Sequence, residues 1–282
     1  MIENRPLLKI FSHVILLIGV LLVAFPLWVT FVAATHDATR MTELPLPLLP
    51  GSHFFENLDT VLFVGLYGGD ASGMGYMLLN STIMALMITV GKIFISLLSA
   101  FAIVYFRFPF RMFFFWMIFI TLMLPVEVRI LPTFEVVANL GMLDTYWGLT
   151  VPLIASATAT FMFRQVFLTI PDEMLEAARI DGAGPFRFFK DILLPMSRTN
   201  VAALFVILFI YGWNQYLWPL LVTTDQSMYT IVMQIGNMLE AGEEAPQWHL
   251  IMMITLLAII PPVVVVIAMQ KLFVQGLTET EK

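Results

Sequence analysis

Pro171-Asp-Glu-Met-Leu-Glu-Ala-Ala-Arg-Ile-Asp-Gly-Ala-Gly-Pro-Phe-Arg-Phe-Phe-Lys-Asp-Ile-Leu-Leu-Pro195 is a stretch that is neither uniformly apolar nor simply polar. Its local signals predict two short helices joined by a turn. Thr169 is placed to cap the first helix, with Pro171 near its first turn. Asp172 and Glu173 suit the positive helix end. Met174, Ala177, Ala178 and Asp181 follow the i, i+3, i+4, i+7 spacing, so they share one face. Gly182 can leave the helix through positive φ. Gly184-Pro185 turns the chain and starts the second helix. Phe186, Phe189 and Leu193 form its apolar edge, and Pro195 is expected to end it. An apolar edge in a segment that ought to be polar suggests a docking surface for a partner. The other reading is a linker packed on its own bundle.

The flanking sequence places this loop at a membrane. Of the 282 residues, 60% are hydrophobic and 12% charged, against about 25% charged in soluble domains. The mean hydropathy is +0.90. A chain this apolar cannot hide its surface in one water-facing globule. A helix needs about 20 mostly apolar residues to cross the hydrocarbon. Six runs qualify, at about 10–34, 76–106, 112–131, 147–168, 201–222 and 250–273, with the loop 169–198 between the fourth and fifth. They do not alternate as barrel strands would, so all are expected to be α-helices. The first run exceeds the apolar core of a signal peptide, whose cleavage site would be Ala33-Ala34. The predicted fold is an all-α membrane protein with one transmembrane domain over 1–282.

Charge sets the orientation. All but three of the 14 basic residues (Arg40, Lys92 and Arg129) lie at or between the ends of the runs on one side. The positive-inside rule then makes both termini and the 169–198 loop cytoplasmic. The outer segment 35–75 holds Pro45, Pro47, Pro50 and Gly51, which prevent a long helix. Five glycines between Gly65 and Gly75 predict an irregular turn. There is no cysteine, and the four histidines are scattered, so no metal site is expected. No basic patch with interleaved aromatics supports nucleic-acid binding.

Glu176-Ala177-Ala178, Asp181-Gly182-Ala183 and then Phe189, Ile192, Leu194 and Pro195 resemble the coupling loop of ATP-binding-cassette (ABC) importer permeases. Met123–Pro132, Gly212-Trp-Asn-Gln-Tyr-Leu-Trp-Pro219 and Gln270–Gly276 are similar to the maltose-permease-like branch of that family. Ile2-Glu-Asn-Arg-Pro6 and Phe115–Pro125 running into Val126-Glu-Val-Arg129 resemble its glycerol-3-phosphate group. The resemblance implies the type I ABC importer permease fold and a bacterial inner-membrane location. It implies that the loop docks in a cleft of a homodimeric ATPase. It also implies a second permease as heterodimer partner and a periplasmic solute-binding protein. The implied solute is sn-glycerol-3-phosphate or a glycerophosphodiester, otherwise a sugar. No G-x-x-x-x-G-K-[ST] loop occurs, so the chain is not expected to hydrolyse ATP itself. The resemblance assigns ATP and Mg to the partner ATPase and implies that this chain binds no cofactor and is not an enzyme.

Polar residues in hydrocarbon normally face the bundle interior. Trp213, Asn214, Gln215 and Trp218 in the fifth run are candidates for the translocation path, or equally for helix–helix contacts or an interfacial belt. Glu127 and Arg129 near the end of the third run are further candidates. An arginine fork suits phosphate, but a lone arginine at a helix end is also an ordinary anchor. Lys92 reads as structural or as extending toward the cytoplasmic side. The small residues from Ala155 to Thr160 read as close helix packing, and Pro261-Pro262 as a kink. Asn80-Ser81-Thr82 is a sequon at a membrane boundary and is discounted. A secondary transporter is the competing class. It should carry buried carboxylates at midplane, whereas the only acid within a run is Glu127, near an end. An integral membrane enzyme would need clustered catalytic groups, and none stands out.

Overall fold

With lipid on all sides a backbone can satisfy its polar groups only within itself, so apolar runs become helices. The computed structural model describes residues 6–64, 73–121, 126–240 and 247–279, with backbone alone for 6–8, 126, 127, 240 and 273–279. Among these there are helices and no strand. They are α1 (Pro6–Ala34), α2 (Ala38–Thr42), α3 (Phe54–Asp59), α4 (Gly75–Tyr105), α5 (Arg111–Ile120), α6 (Val126–Asn139), α7 (Tyr146–Thr150), α8 (Ala157–Leu168), α9 (Asp172–Ile180), α10 (Pro185–Phe188), α11 (Leu194–Met196), α12 (Arg198–Trp213), α13 (Leu217–Val222), α14 (Ile231–Glu240) and α15 (Trp248–Glu279). The glycine-rich turn expected over Gly65–Gly75 lies for the most part outside the described residues.

α1, α4 and α15 are each long and apolar enough to cross a bilayer alone. α15 runs on through Pro261 and Pro262. The expected fourth and fifth spans are interrupted, and the third is described only on either side of 122–125. α5 has only 10 residues and stops at Thr121, whose hydroxyl bonds back to the Ile118 carbonyl at 2.6 Å. α6 then passes the expected boundary at 131 and continues to Asn139. The expected fourth span bends by 50° between α7 and α8. Pro152 sits in a tight 3₁₀ turn there, and Ser156 adopts an extended conformation to cap α8. The expected fifth span breaks after Trp213. The Gln215 side-chain amide donates to the Tyr211 carbonyl at 2.9 Å, and α13 resumes at Leu217. Sequence periodicity could not show these breaks, because both sides of each are apolar.

The chain packs as two units. The first comprises Met1–Tyr76 and Ile235–Ile259. In it the proline-rich segment is wound onto the C-terminal end of α1. The Asn57 amide donates to the Ala34 and His36 carbonyls at 2.9 and 2.8 Å. The Thr35 hydroxyl donates to the Val32 carbonyl and accepts the Gly51 amide. The rest of α1, from Ile10 to Leu27, presents exposed apolar side chains.

The second unit comprises Met77–Gln234 and Ile260–Lys282. One buried cluster joins Met84, Ile88, Ile130, Leu149, Trp218 and Val222. Another joins Phe101, Phe163, Phe167, Leu204 and Leu208. Gly212 allows α12 to approach α4, because a Cβ there would lie 3.1 Å from the Ala85 Cα. At the end of α4 the buried Asn80 amide donates to the Ser227 and Tyr229 carbonyls, while its oxygen accepts from Tyr146. The sequon asparagine is therefore a structural clamp with no free amide. Asp144, at φ 54°, accepts the Asp225 and Thr224 amides and the Thr224 hydroxyl. These bonds, led by that from Asp225, hold its carboxyl below the ordinary aspartate value.

Two outcomes follow from this packing. Gly212→Leu should destabilise by about 1–3 kcal/mol through overpacking, seen as a lowered unfolding midpoint in detergent. A depressed carboxyl stabilises above its unfolded-state pKa and loses that contribution as pH falls through the folded value. Asp144→Asn should therefore lower the hydrogen-exchange protection of the Thr224 and Asp225 amides at neutral pH. Acidification below the ordinary value of 3.8 should bring the wild type toward the variant.

Candidate functional site

The loop between α8 and α12 folds as two helices around a glycine turn. Thr169 ends α8 rather than capping α9, because its hydroxyl turns back to the Val166 carbonyl at 2.7 Å. Pro171, in an extended conformation, takes the N-cap position instead. α9 carries Asp172 and Glu173 in its first turn and Arg179 in its last, the order that a helix dipole favours. Gly182 follows at φ 71°, and a Cβ added there would meet nothing within 4 Å, so the glycine is required by conformation and not by space. The Ala183 amide then bonds to the Ala178 carbonyl at 2.8 Å. Gly184 caps α10 with Pro185 in its first turn. Helical structure continues through a wide π turn at Phe189–Leu193 and through Pro195 to Met196. Pro195 thus does not end the helix. A proline lacks an N–H and crowds the carbonyl four residues back, and the wide turn lies where that carbonyl must give way.

The two faces of this loop do different things. Ala178, Phe188 and Leu193 are buried in the cluster formed with Phe101, Phe163, Phe167 and Leu204. Leu175, Ala183, Phe189, Ile192 and Leu194 pack partly against it. Phe189 lies 5.0 Å from the Phe101 ring, and Phe188 lies 5.1 Å from the Tyr105 ring. Phe189 and Leu193 therefore anchor the loop instead of forming an exposed edge. The exposed large apolar residues are Ile180 at 86%, Phe186 at 76%, Met196 at 45% and Met174 at 38%. Glu176, Ala177, Asp181 and Gly182 are also exposed. Ile180, a free apolar side chain beside the glycine turn, was not singled out from sequence. The helical run 185–196 meets α12 at 73°, so its anchored face touches the ends of α4, α8 and α12 together.

The expected translocation-path residues separate. Trp213 is 3% exposed and stacks on Phe209. Trp218 is buried and donates to the Gly148 carbonyl at 3.1 Å. Both support the break in the backbone by packing. Asn214 is exposed at the end of α12, and Gln215 caps it. None of these four lines the cavity described next. The side chain of Glu127 lies outside the described residues.

Arg129 does line that cavity, which holds about 420 Å³ between α4, α5, α6, α12 and the α7–α8 break. Lys92 joins it there. Lys92 is 6% exposed, and its Nζ lies 3.5 Å from the centroid of the Tyr211 ring. It points toward Tyr211, near the end of α12 remote from the 169–198 loop. Ala155, Ser156, Ala157, Thr158 and Thr160 form another wall. Of the small residues expected to mediate packing, Ala159 and Thr160 are buried, whereas 155–158, at the break and the start of α8, line the cavity. Among the described residues no group of three His, Asp or Glu side chains could hold a metal ion.

The helical fold, the anchored loop and the broken spans define the class. Residues 92–279 match the family of binding-protein-dependent transport system inner membrane components, and the chain belongs to that family. It is thus an inner-membrane transport subunit. The full 282 residues align with the sn-glycerol-3-phosphate transport system permease protein UgpE over all of that protein's length, at 61% identity in Salmonella choleraesuis. The corresponding identities are 60% in Yersinia enterocolitica and 59% in Brucella melitensis, again with both chains wholly covered. The fold is also similar to a chain in the crystal structure of a bacterial ABC transporter involved in the import of the acidic polysaccharide alginate. That similarity has a TM-score of 0.79 at 20% identity, covering 96% of this chain and 98% of the other.

The division of the loop into two faces has a direct test. Phe188→Ala should cost about 3–5 kcal/mol through lost burial and a residual cavity, and should lower the detergent unfolding midpoint. Phe186→Ala, on the exposed side, should leave that midpoint close to the wild type.

Proposed function

We propose that this chain is one of two permease subunits of an ATP-driven importer of sn-glycerol-3-phosphate. The observation that carries this reading is the end-to-end identity of about 60% to permeases named for that transport system. Its partners are a second permease, a homodimeric ATPase that uses ATP and Mg, and a periplasmic binding protein. The chain crosses the membrane six times with both termini in the cytoplasm. α5 with α6 makes the third crossing, and α12 with α13, interrupted after Trp213, the fifth. The basic residues at the ends of the runs support this orientation.

The coupling loop supplies the mechanical link. Ile180 and Phe186 are the exposed apolar side chains that enter a cleft on the ATPase. Their burial on docking favours association, because exposed apolar side chains leave water. Ala178, Phe188 and Leu193 tie the other face to α4, α8 and α12. A packed core transmits displacement instead of absorbing it. Closure of the ATPase dimer therefore moves these helix ends as one body, and the path changes its side of access. Membership of a binding-protein-dependent family stands against an independent secondary transporter.

Assembled importer in proteoliposomes tests the reading. ATP-dependent uptake of sn-glycerol-3-phosphate should require all four kinds of subunit. Gly182→Val places a β-branched residue at φ 71°, a conformation such residues rarely adopt. It should abolish uptake while membrane insertion stays normal. Glu176→Lys should do the same with no loss of thermal stability, since Glu176 is exposed. Undiminished uptake in both variants would contradict the assigned role of the loop.

A further inference from the structure

Lys92 and Arg129 are two cations on one cavity, and no acidic side chain is among the described residues that line it. Placing one charge at the centre of a span costs about 2.5–3.5 kcal/mol on insertion scales. Lys92 lies close to the middle of α4 (Gly75–Tyr105). Its ammonium has no hydrogen-bond acceptor among the described residues, and its contact is the face of Tyr211. Like charges sharing a cavity disfavour each other in a medium of low dielectric. Such an arrangement persists where an anion completes it.

The wall opposite adds donors. α8 begins at Ala157, has 12 residues, and presents the positive end of its dipole at the cavity. Ser156 caps it by accepting the Ala159 amide at 3.2 Å, and the Thr160 amide bonds to the Ser156 carbonyl. Ala157 and Thr158 supply the remaining amides of the first turn, which have no intrahelical partner, and both residues line the cavity. Ser99 and Thr158 contribute hydroxyls. Arg129 is exposed while Lys92 is buried, so a ligand meets the guanidinium first and the ammonium last. At about 420 Å³ the cavity falls within the size range of small-molecule sites.

We propose that this cavity is an anion site within the membrane and that it takes the phosphate group of the transported phosphate ester. Arg129 and Lys92 neutralise the charge, and the α8 amides and the hydroxyls donate hydrogen bonds to the phosphate oxygens. The choice of solute rests on the proposed function above; the anion preference of the cavity does not. The glycerophosphate headgroup of a lipid shares this chemistry, and the test separates the two sources.

The chain has no cysteine, so Thr158→Cys gives it one reporter in the cavity. The assembled importer carrying it is placed in phosphatidylcholine vesicles, with or without phosphatidylglycerol. Labelling of this chain by an anionic and by a cationic methanethiosulfonate is then timed. The anionic reagent should react about tenfold faster than the cationic one, as expected for a cleft of one sign of charge. Added sn-glycerol-3-phosphate should slow it, and glycerol should not. Arg129→Gln and Lys92→Gln should each remove the charge preference. Arg129 is exposed, so its variant decides the matter even if the Lys92 variant fails to assemble. Equal rates for the two reagents, or a preference that survives Arg129→Gln, would overturn the site. Protection by inorganic phosphate but not by sn-glycerol-3-phosphate would keep the anion site and reject the solute. Protection by phosphatidylglycerol alone would assign the cavity to lipid and overturn its role in transport.

Discussion

Backbone polar groups have no partner in hydrocarbon, and this constraint decides where the chain can be helical and where it can stop. Each break in the described spans is closed by a specific donor or acceptor. At the α7–α8 break the Ser156 carbonyl accepts the Thr160 amide and both the Ser96 and Thr160 hydroxyls. The Gly148 carbonyl takes the indole N–H of the buried Trp218. After α12 the Gln215 amide meets the Tyr211 carbonyl. Among the described residues, irregular backbone within the apolar runs thus lies against other protein or beside a cavity. That is also where it becomes useful, because a broken helix exposes the unpaired amides that a continuous one consumes.

The coupling loop answers to the same constraint at the membrane edge. It is short, and one face is sunk among aromatic rings from α4 and α8. Phe188 against Tyr105 and Phe189 against Phe101 leave little freedom for the loop to move independently of those helices. The positive φ of Gly182 turns the chain so that Ile180 and Phe186 project from the opposite face. A partner that pulls on the exposed residues therefore pulls on the bundle. The loop and the cavity share α4, α8 and α12. Movement at one end of these helices consequently bears on Lys92, Tyr211 and Ser156 farther along them.

Much of the site was legible where local rules apply. Gly182 is read from the turn it must make, and the polar first turn of α9 from its acidic residues. The inward turn of Phe189 and Leu193 was not legible, because spacing gives a shared face but not whether the bundle or the solvent takes it. Lys92 was left open between a structural role and an extension to an interface for a related reason. A lysine in an apolar run can extend to an interface, and only the position of Tyr211 shows that this one stays inside. The aromatic residues of the fifth run had the composition of a path lining, yet Trp213 and Trp218 are used for packing.

The sequence by itself determined that the chain is helical and lives in a membrane, since composition and run length suffice for both. It also determined the two-helix form of the 169–198 loop, because the glycine and proline positions act through neighbours in the chain. Tertiary structure alone decided where spans break and which polar residues meet. The physical reason is that a soluble helix carries an apolar stripe that orients it, whereas a span is apolar all round. Its rotation and its partners are set by side-chain packing with other helices. Lys92, Arg129 and Ser156, far apart in the chain, come to one cavity only through that packing.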